Sequence, residues 1–500
     1  MSITSRFLKG SLSLGIATVV VRLSGILVLV PLARILGSEQ LGIYSLVFWA
    51  SQSGMAIGLI GVDVAMHRNG AQIYKTDPSA TGRLLGAGSL LLLISYTTLS
   101  LCLFIFRFYL AEHWLGNRDS ALWLGFAATI LFIDGMGLIA ITGLLSLHDF
   151  RGNSFASSVG AIGRLLLSPL LAWQYGLGGA LVGSTMASLL QCLAASSLFR
   201  GQLRKYNIKM HCTGFIKESQ EILKFGIPFW SGNALIALLT LPIMGEIGRI
   251  AGVGALGQFR IAQSLSQVVG FLPGAIAPVV VSVLSESYKP NENTNDFEKL
   301  RSLHMRGNWL LALTLVMFLS LNSNLIVNML YGKAYIDAVP LVIGMGWLSL
   351  INVVVGNLNL YTLSAGNTLT IAIASLSQKA IVIGFSFWLI PKLQTIGYIV
   401  AMISGASAQL VIMGIYTWKK ISRILKQQSI KLFVWSITIF AMTSLSQLSQ
   451  LATSRNLFLS GGITIIFFVL IIFTTFELPE IKKLVVKLEN IYSNLSRIGS

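Results

Sequence analysis

The sequence predicts an all-α polytopic membrane protein with about fourteen transmembrane helices. Of its 500 residues, 54% are hydrophobic and only 11% are charged, whereas a soluble domain carries about 25% charged residues. Apolar runs of about 20 residues follow one another along the whole chain, and each is long enough to cross a bilayer as a helix. A segment at the end of the first run recurs about half a chain later, which predicts a duplicated bundle.

Hydropathy places the predicted spans in order along the chain, with short polar segments between them. The first six lie near residues 12–36, 42–66, 84–106, 121–146, 154–173 and 177–199. The next six lie near residues 225–248, 255–284, 306–330, 338–364, 368–391 and 394–418. A final pair lies near residues 431–451 and 456–476. The number of spans is even, so both termini are expected on the same side of the membrane.

The repeated segment reads R-I-L-G-S-E-Q-L-G-I-Y from Arg34 to Tyr44 and R-I-A-G-V-G-A-L-G-Q-F from Arg249 to Phe259. Each copy ends one apolar run and opens the next, so each predicts a tight turn whose glycines accept unusual backbone angles. Six spans separate the copies. Because six is even, the two halves share one orientation and should be related by an axis along the membrane normal. Arg164 and Lys379 lie at the same offset and support this register.

These patterns predict two lobes and three further segments. They are a six-helix lobe at residues 1–200, a basic cytoplasmic linker at 201–224, a second six-helix lobe at 225–420, an extra helix pair at 421–476 and a tail at 477–500. The tail has an apolar helical face with lysines elsewhere, which predicts an amphipathic helix on the inner membrane surface.

The distribution of Lys and Arg predicts the orientation. With the N-terminus inside, the inner segments hold about 25 of these residues and the outer segments about 7, as the positive-inside rule requires. Both termini are therefore predicted to be cytoplasmic. The same distribution argues against nucleic-acid binding despite the net charge of +18, because the cations lie in loops between spans.

Four cations lie within the predicted spans, where an ionisable side chain costs at least about 2.5–3.5 kcal/mol. They are Arg22, Arg164, Arg260 and Lys379. A lumen lined with them would attract an anion, and Arg can grip phosphate oxygens in a bidentate way, so a lipid pyrophosphate fits. Alternatively, each cation pairs with an acid or extends to the membrane surface. For Arg34 and Arg249, at the outer face, the surface interpretation is preferred.

Three acids also lie in the spans: Asp63, Asp134 and Glu246. They could carry a coupling proton or sodium ion, or they could neutralise the buried cations. We favour pairing, because cations are in excess. Glu246 precedes Arg249 by three residues, which is the spacing of a helical surface pair.

The sequence predicts neither an enzyme nor a cofactor or metal site. The five histidines are scattered and never paired at metal-ligand spacing. The chain also lacks the glycine-rich lysine motif that cradles nucleotide phosphates, so ATP hydrolysis by this chain is not expected.

Four motifs carry a family resemblance. They are L-A-R-I-L-G-S-E-Q-L-G-I-Y-S after the first span, G-L-G-G-A-L-V-G-S-T-M-A in the sixth, K-F-G-I-P-F-W opening the seventh and L-Y-G-K-A-Y-I-D-A-V-P-L before the tenth. With twelve plus two helices, the chain resembles the polysaccharide transporters of the multidrug/oligosaccharidyl-lipid/polysaccharide exporter superfamily, and most of all the Wzx-type O-antigen flippases. The resemblance covers nearly the full length.

The resemblance implies a two-lobed bundle around a central cavity in the bacterial plasma (inner) membrane. It implies movement of an undecaprenyl-pyrophosphate-linked oligosaccharide, a repeat unit of O-antigen, capsule or exopolysaccharide, from the cytoplasmic to the outer leaflet by alternating access. Membrane lipid, a polysaccharide polymerase and a chain-length regulator are the further partners that it suggests. Related lipid II flippases line the cavity with arginines on the first, second and eighth helices. Arg22 and Arg260 match the first and eighth, whereas the second span here has no deep Arg.

Three alternatives stay open. A cation-coupled drug antiporter of the same superfamily would favour a cavity dominated by acids. An O-antigen polymerase or ligase would carry a large outer loop with catalytic Arg or His, whereas the predicted outer loops are short. The third alternative is a membrane assembly partner without transport.

Overall fold

The computed structural model describes residues 18–115, 118–287, 295–364, 367–418, 423–448 and Phe467. Every regular element in these ranges is a helix, which confirms the predicted all-α class. The long helices are α1 (Thr18–Gly58), α2 (Val62–Ile73), α3 (Pro78–Ile105), α4 (Arg107–Leu115), α5 (Ala121–Ser146), α6 (Phe150–Lys205), α7 (Phe215–Ala251), α8 (Val253–Ser287), α9 (Asn295–Tyr331), α10 (Val339–Ser364), α11 (Thr368–Trp418) and α12 (Arg423–Leu448). Short 3-10 turns lie at Arg118–Ser120 and Lys333–Ala338.

Within the described ranges, seven helices are long and apolar enough to cross a membrane. Three of them are too long for a single crossing, because the 56 residues of α6 would extend about 84 Å against a hydrocarbon core of about 30 Å. Each contains a backbone break, at Gly37 in α1, at Gly176 in α6 and at Gln394 in α11. We therefore divide them into α1a (residues 18–36) and α1b (38–58), α6a (150–174) and α6b (177–205), and α11a (368–393) and α11b (395–418).

Close glycine contacts indicate that α6 and α11 double back at their breaks. A Cβ on Gly179 would lie 1.9 Å from the Leu171 carbonyl oxygen, and one on Gly397 would lie 2.4 Å from that of Leu389. Farther from the α6 turn, the pairing continues at Gly183 with Leu167 and at Gly163 with Ala187. Because one residue number falls as the other rises, the two halves of α6 are antiparallel.

The turns of the two halves of the chain share their backbone geometry. Gly37 has φ 72° and ψ 176°, and Gly252, at the repeat-equivalent position, has φ 85° and ψ 157°. Gly176 has φ 56° and ψ −138°, and Gln394 has φ 53° and ψ −134°. This agreement supports the predicted duplication at the level of dihedral angles.

The halves meet through a reciprocal contact between the two copies of the repeated segment. A Cβ on Gly42 would lie 2.0 Å from the carbonyl oxygen of Val253, and a Cβ on Gly257 would lie 2.3 Å from that of Ser38. Gly257 is the repeat equivalent of Gly42, and Val253 is the equivalent of Ser38. Reciprocal contacts between equivalent residues are expected where a local two-fold axis passes between α1b and α8.

The apolar cores show which ends of the lobes are joined. One core includes Leu41 of α1b, Phe259 of α8 and Tyr335 of the second half, all less than 5% exposed, and it surrounds the turns. At the opposite end, the halves have separate cores, built around Tyr96 in the first half and Trp309 in the second. We call the end with the turns the closed end and the opposite end the cavity end.

At the cavity end, α7 packs against the first half of the chain. The backbones of Gly61 and Gly226 approach so closely that a Cβ on Gly61 would lie 2.2 Å from the Gly226 carbonyl oxygen. Trp230 Nε1 donates to the carbonyl of Ala56 at 2.9 Å. The predicted linker is largely helical, since α6 ends at Lys205 and α7 begins at Phe215.

Two predicted features differ in extent from the structure. The second predicted span, near 42–66, is broken at Gly61, where a left-handed residue starts α2, so its last residues belong to a separate helix. The thirteenth span corresponds to α12. The fourteenth span and the amphipathic tail at 477–500 lie outside the described residues, apart from Phe467, whose ring packs edge-on against Trp435 at 5.9 Å between centroids.

Candidate functional site

Two cavities share Arg22 in their walls. The α6 cavity, of about 340 Å³, lies between α1a and the two halves of α6. The α10 cavity, of about 570 Å³, lies between α8 and α10. Both lie in the cavity end of the bundle, with the Arg22 guanidinium at their junction.

Arg22 lies on α1a, where its side chain is exposed to this space. Its Nη1 lies 2.9 Å from the position that a Cβ on Gly274 of α8 would occupy. Any side chain at position 274 would therefore displace the guanidinium. The absence of a side chain at Gly274 lets Arg22 lie where the two cavities join.

Arg164 on α6a faces the α6 cavity and is also paired. Its Nη2 donates to Ser188 Oγ at 3.1 Å and lies 3.9 Å from Asp134 Oδ2 on α5. Its Nε is buried and has no hydrogen-bond partner within the described ranges. The sequence analysis predicted that each buried cation either lines a cavity or pairs with an acid. Arg164 does both, because one edge of its guanidinium faces Asp134 while the residue lines the α6 cavity.

Arg260 of α8 and Arg164 both lie near the aromatic ring of Phe48. The guanidinium carbons of Arg260 and Arg164 lie 4.5 Å and 5.9 Å from the centroid of the Phe48 ring on α1b. Arg260 Nη1 donates to Gln263 Oε1 at 2.9 Å, and its Nε is buried without a partner. Desolvated cation–π contacts contribute about 2 kcal/mol each, which helps to hold two like charges close together. Arg260 lies outside the residues that line the two cavities.

The other predicted site residues lie apart from these arginines. Lys379, the repeat equivalent of Arg164, lies on α11a and lines neither of the two cavities. Glu246 forms a bidentate pair with Arg249, at 2.7 and 3.0 Å, as its spacing predicts. Asp63 lies in the first turn of α2, four residues before His67. The predicted cationic set thus comes together at Arg22, Arg164 and Arg260 only.

Arg34 has a role that its sequence position did not indicate. It remains exposed, as a surface residue should, but its Nε donates to the carbonyl of Leu330 at 2.8 Å and its Nη2 to that of Met329. These carbonyls belong to the last turn of α9, where cationic groups are favourable. Tyr335 adds a second link by donating to the carbonyl of Ala33 at 3.0 Å. Arg34 therefore fastens α1a to the second half at the closed end.

Sequence reasoning missed the neutral polar wall of the α10 cavity. It includes Ser266, Gln267, Ser349, Asn352 and Asn357. On α10, Ser349, Asn352 and Gly356 recur at spacings of three and four residues and Asn357 follows directly, which places them on one helical face. That polar stripe inside an apolar span is the signal that would have found them.

Comparison with known proteins agrees with this architecture. Residues 7–287 match the family model described as polysaccharide biosynthesis protein. A search of curated proteins gave no match.

Several solved structures are similar along most of the chain. One is a lipid II flippase MurJ in an inward closed conformation (TM-score 0.70, 14% identity, 92% of this chain and 96% of that chain covered). Another is an inward-facing multidrug resistance MATE family transporter of the MOP superfamily (TM-score 0.67, 15% identity, 83% and 99% covered). A MOP superfamily transporter from Pyrococcus furiosus, described as having a binding pocket of reverse polarity, is also similar (TM-score 0.59, 15% identity, 84% and 96% covered).

At these identities the structural similarity concerns the fold, whereas the family match covers more than half of the sequence. The chain therefore belongs to the polysaccharide biosynthesis protein family, and it has the multi-pass membrane fold of the MOP superfamily transporters.

Proposed function

We propose that this protein is a flippase that moves undecaprenyl-pyrophosphate-linked oligosaccharide repeat units of O-antigen, capsule or exopolysaccharide from the cytoplasmic to the outer leaflet of the bacterial inner membrane. The single observation that carries the proposal is the shared wall at Arg22. A cation at the junction of two cavities, with Arg164 in the wall of one of them, suits a ligand with an anionic centre and polar substituents.

The local charge balance supports a phosphate ligand. Arg22, Arg164 and Arg260 bring three positive charges to this region, and the paired acid is Asp134 at 3.9 Å from Arg164. An excess of guanidinium groups in a medium of low dielectric constant attracts a dianion strongly, and guanidinium binds phosphate oxygens in pairs. A pyrophosphate would neutralise the excess that the protein leaves uncompensated.

The arrangement of the cores supports alternating access. A single core joins the halves at the closed end, whereas the cavities lie where the cores are separate. With the orientation predicted from Lys and Arg, the cavities lie toward the cytoplasm, where an undecaprenyl-linked unit is presented. We assign Asp134 and Glu246 to neutralisation rather than to ion coupling, because each has an arginine partner.

The main competing function is a cation-coupled antiporter, which the similarity to MATE transporters suggests. Such a protein would need an acid free to bind its coupling ion or cationic drug. In the cavity walls described here, the charged residues are Arg22 and Arg164. This cationic lining favours an anionic cargo.

The proposal is tested in cells whose chromosomal copy is deleted. Surface polysaccharide is measured together with the sidedness of the lipid-linked unit. We expect complete but unpolymerised units to accumulate on the inner leaflet. If single units reach the outer face and stay unpolymerised, translocation is not the missing step and a polymerase role replaces the proposal.

A further inference from the structure

The α10 cavity differs chemically from the α6 cavity. Apart from Arg22, its polar lining is neutral and consists of the hydroxyls and amides of Ser266, Gln267, Ser349, Asn352 and Asn357. Its volume of about 570 Å³ lies within the range of about 300–1,000 Å³ that is usual for small-molecule sites. Neutral donors and acceptors of this kind match hydroxyl-rich ligands better than they match phosphate.

Asn357 has a hydrogen-bonding group that the protein leaves unused. The side chain is only 2% exposed and belongs to the cavity wall. Its Oδ1 accepts from Asn308 Nδ2 at 3.0 Å, whereas its own Nδ2 has no hydrogen-bond partner among the residues that the structure describes. A buried amide without a partner costs free energy, so a group in the cavity is expected to accept from it, and a ligand oxygen at the cavity wall would do so.

A chain of hydrogen bonds fixes which way the Asn357 amide faces. The carbonyl of Arg301 can only accept, so Tyr361 OH donates to it, at 3.2 Å. Tyr361 OH therefore accepts from His304 Nδ1, at 2.9 Å, and His304 Nε2 accepts from Asn308 Nδ2, at 2.9 Å.

Asn308 Nδ2 has a second hydrogen, which it donates to Asn357 Oδ1. Turning the Asn357 amide over would place its NH2 group against the NH2 group of Asn308. The hydrogen-bond chain thus makes Asn357 a donor toward the ligand, and the ligand must present an oxygen acceptor.

We propose that the α10 cavity is the glycan subsite of the transporter and that Asn357 Nδ2 donates to an oxygen of the first sugar, beside a phosphate held at Arg22. The inference rests on the proposed function. It adds that the sugar of the cargo lies in the α10 cavity and the phosphate lies at Arg22, where the two cavities join. In a pyrophosphate-linked glycan, the first sugar is bonded directly to a phosphate. The two subsites must therefore be adjacent, as the shared residue Arg22 makes them.

The test separates the glycan from the pyrophosphate. The purified full-length protein is titrated with farnesyl pyrophosphate and with its conjugates to glucose, galactose and N-acetylglucosamine, and binding is followed by tryptophan fluorescence. The free sugars are tested as competitors. We expect at least one conjugate to bind more tightly than bare farnesyl pyrophosphate, and Asn357→Leu to weaken that conjugate about tenfold while leaving the bare pyrophosphate unchanged.

Two further variants keep the test independent of folding. Asn357→Ala also removes the N–H donors and adds no charge beside the phosphate, so it should reproduce the loss. Asn322→Leu is the matched control, because Asn322 is also buried but donates to the Phe318 carbonyl away from the cavity. It should bind every probe as the unmodified protein does. Thermal unfolding of each variant confirms that it is folded.

The outcomes distinguish this inference from the proposed function. If bare farnesyl pyrophosphate binds but no conjugate binds more tightly, or if the Asn357 variants weaken both probes equally, the glycan subsite is wrong while the pyrophosphate carrier stands. If free sugars bind as well as the conjugates do, the cavity is a sugar site unconnected with a lipid carrier. If no pyrophosphate probe binds, the proposed function fails together with the subsite.

Discussion

Arg164 lies between an acid and a cavity, and its pairing with Asp134 leaves part of its charge available. The separation from Asp134 Oδ2 is 3.9 Å, longer than the roughly 2.7–2.9 Å of a close charge-assisted bond. A phosphate oxygen could therefore replace Asp134 as the nearer anion without a large movement of the guanidinium. This geometry separates Arg164 from Arg249, whose pairing with Glu246 at 2.7 Å is complete.

The first prediction concerns these arginines. We expect Arg22→Ala and Arg164→Ala each to weaken binding of bare farnesyl pyrophosphate by about tenfold or more, since each removes a charge-assisted contact. Polysaccharide export should fall in parallel, with protein levels near normal. Arg151→Ala is the matched control, because Arg151 is an exposed cation on α6a outside the cavity lining. Full binding and export by both cavity variants would contradict the cationic-site proposal.

Single residues were predictable only where they break a strong rule. Arg22 and Arg164 were visible because a charge inside an apolar span is costly and demands a reason. Asn357 was not visible, because an amide in a span is far less conspicuous and its role depends on Asn308 and His304, distant in sequence. The contact of Arg260 with Phe48 is equally a product of tertiary packing. The sequence could place Arg260 on a helix but not beside a ring.

At the scale of helices, the reciprocal glycine contacts predict how tightly the closed end is joined. We expect Gly42→Val and Gly257→Val to part α1b from α8, because even the first carbon of a side chain would lie within 2.3 Å of a backbone oxygen. Both variants should lower export strongly, and cysteine-reactive probes should reach the closed end more readily. Gly384→Ala on α11a is the control, since nothing lies within 4 Å of the added carbon. Unchanged closed-end accessibility in both valine variants would show that this packing is dispensable.

Arg34 gives a second prediction for the closed end. Arg34→Ala removes two donors from the last carbonyls of α9, and capping interactions of this kind contribute about 0.5–2 kcal/mol. We expect the equilibrium between cavity-open and closed-end-open states to shift by that amount, roughly 2- to 30-fold. Spin-label distances across the closed end measure the shift. Tyr335→Phe, which loses the single bond to Ala33, should shift it in the same direction but less. No change in the distance distribution of Arg34→Ala would rule out a latch at this position.

Helices and turns were largely predictable, with one instructive exception. The R-I-x-G turns were found because glycine at positive φ was needed twice at one offset, and Gly37 and Gly252 have that geometry. The break at Gly61 was missed because hydropathy continues through it, while the reason for the break is the close approach of Gly226 from α7. The turn at Gln394 was located by hydropathy, between the predicted spans at 368–391 and 394–418, although a non-glycine residue occupies the positive φ there.

For the molecule as a whole, the duplication explains both its symmetry and its departure from symmetry. The halves are joined near the local axis by two equivalent contacts, one made by Gly42 and the other by Gly257. The equivalent intramembrane cations then diverge, since Arg164 lines a cavity and Lys379 lines neither. A duplicated scaffold with an anion-binding subsite in one half and a neutral subsite in the other would suit a cargo with two chemically different ends. This division lies beyond sequence periodicity, which reports where helices repeat and not how their linings differ.

Alternating access requires the closed end to part during each cycle, and the structure supplies a position at which to prevent it. The Cβ of Ser38 lies 3.8 Å from the position that a Cβ on Gly254 would occupy, which matches the mean Cβ separation of about 3.8 Å in disulfides. We expect Ser38→Cys combined with Gly254→Cys to form a disulfide between α1b and α8. The protein used carries serine at its natural cysteines, Cys102, Cys192 and Cys212.

Export by the oxidised double variant should fall to the level of the deletion strain and recover when a membrane-permeant reductant opens the disulfide. Binding of farnesyl pyrophosphate should persist in the oxidised protein, because the cavities lie at the opposite end. Each single-cysteine variant should export normally under both conditions. If export continues at the full rate while the cross-link is complete, the closed end does not open in the transport cycle. The cargo would then have to leave along the side of the bundle, between helices and lipid.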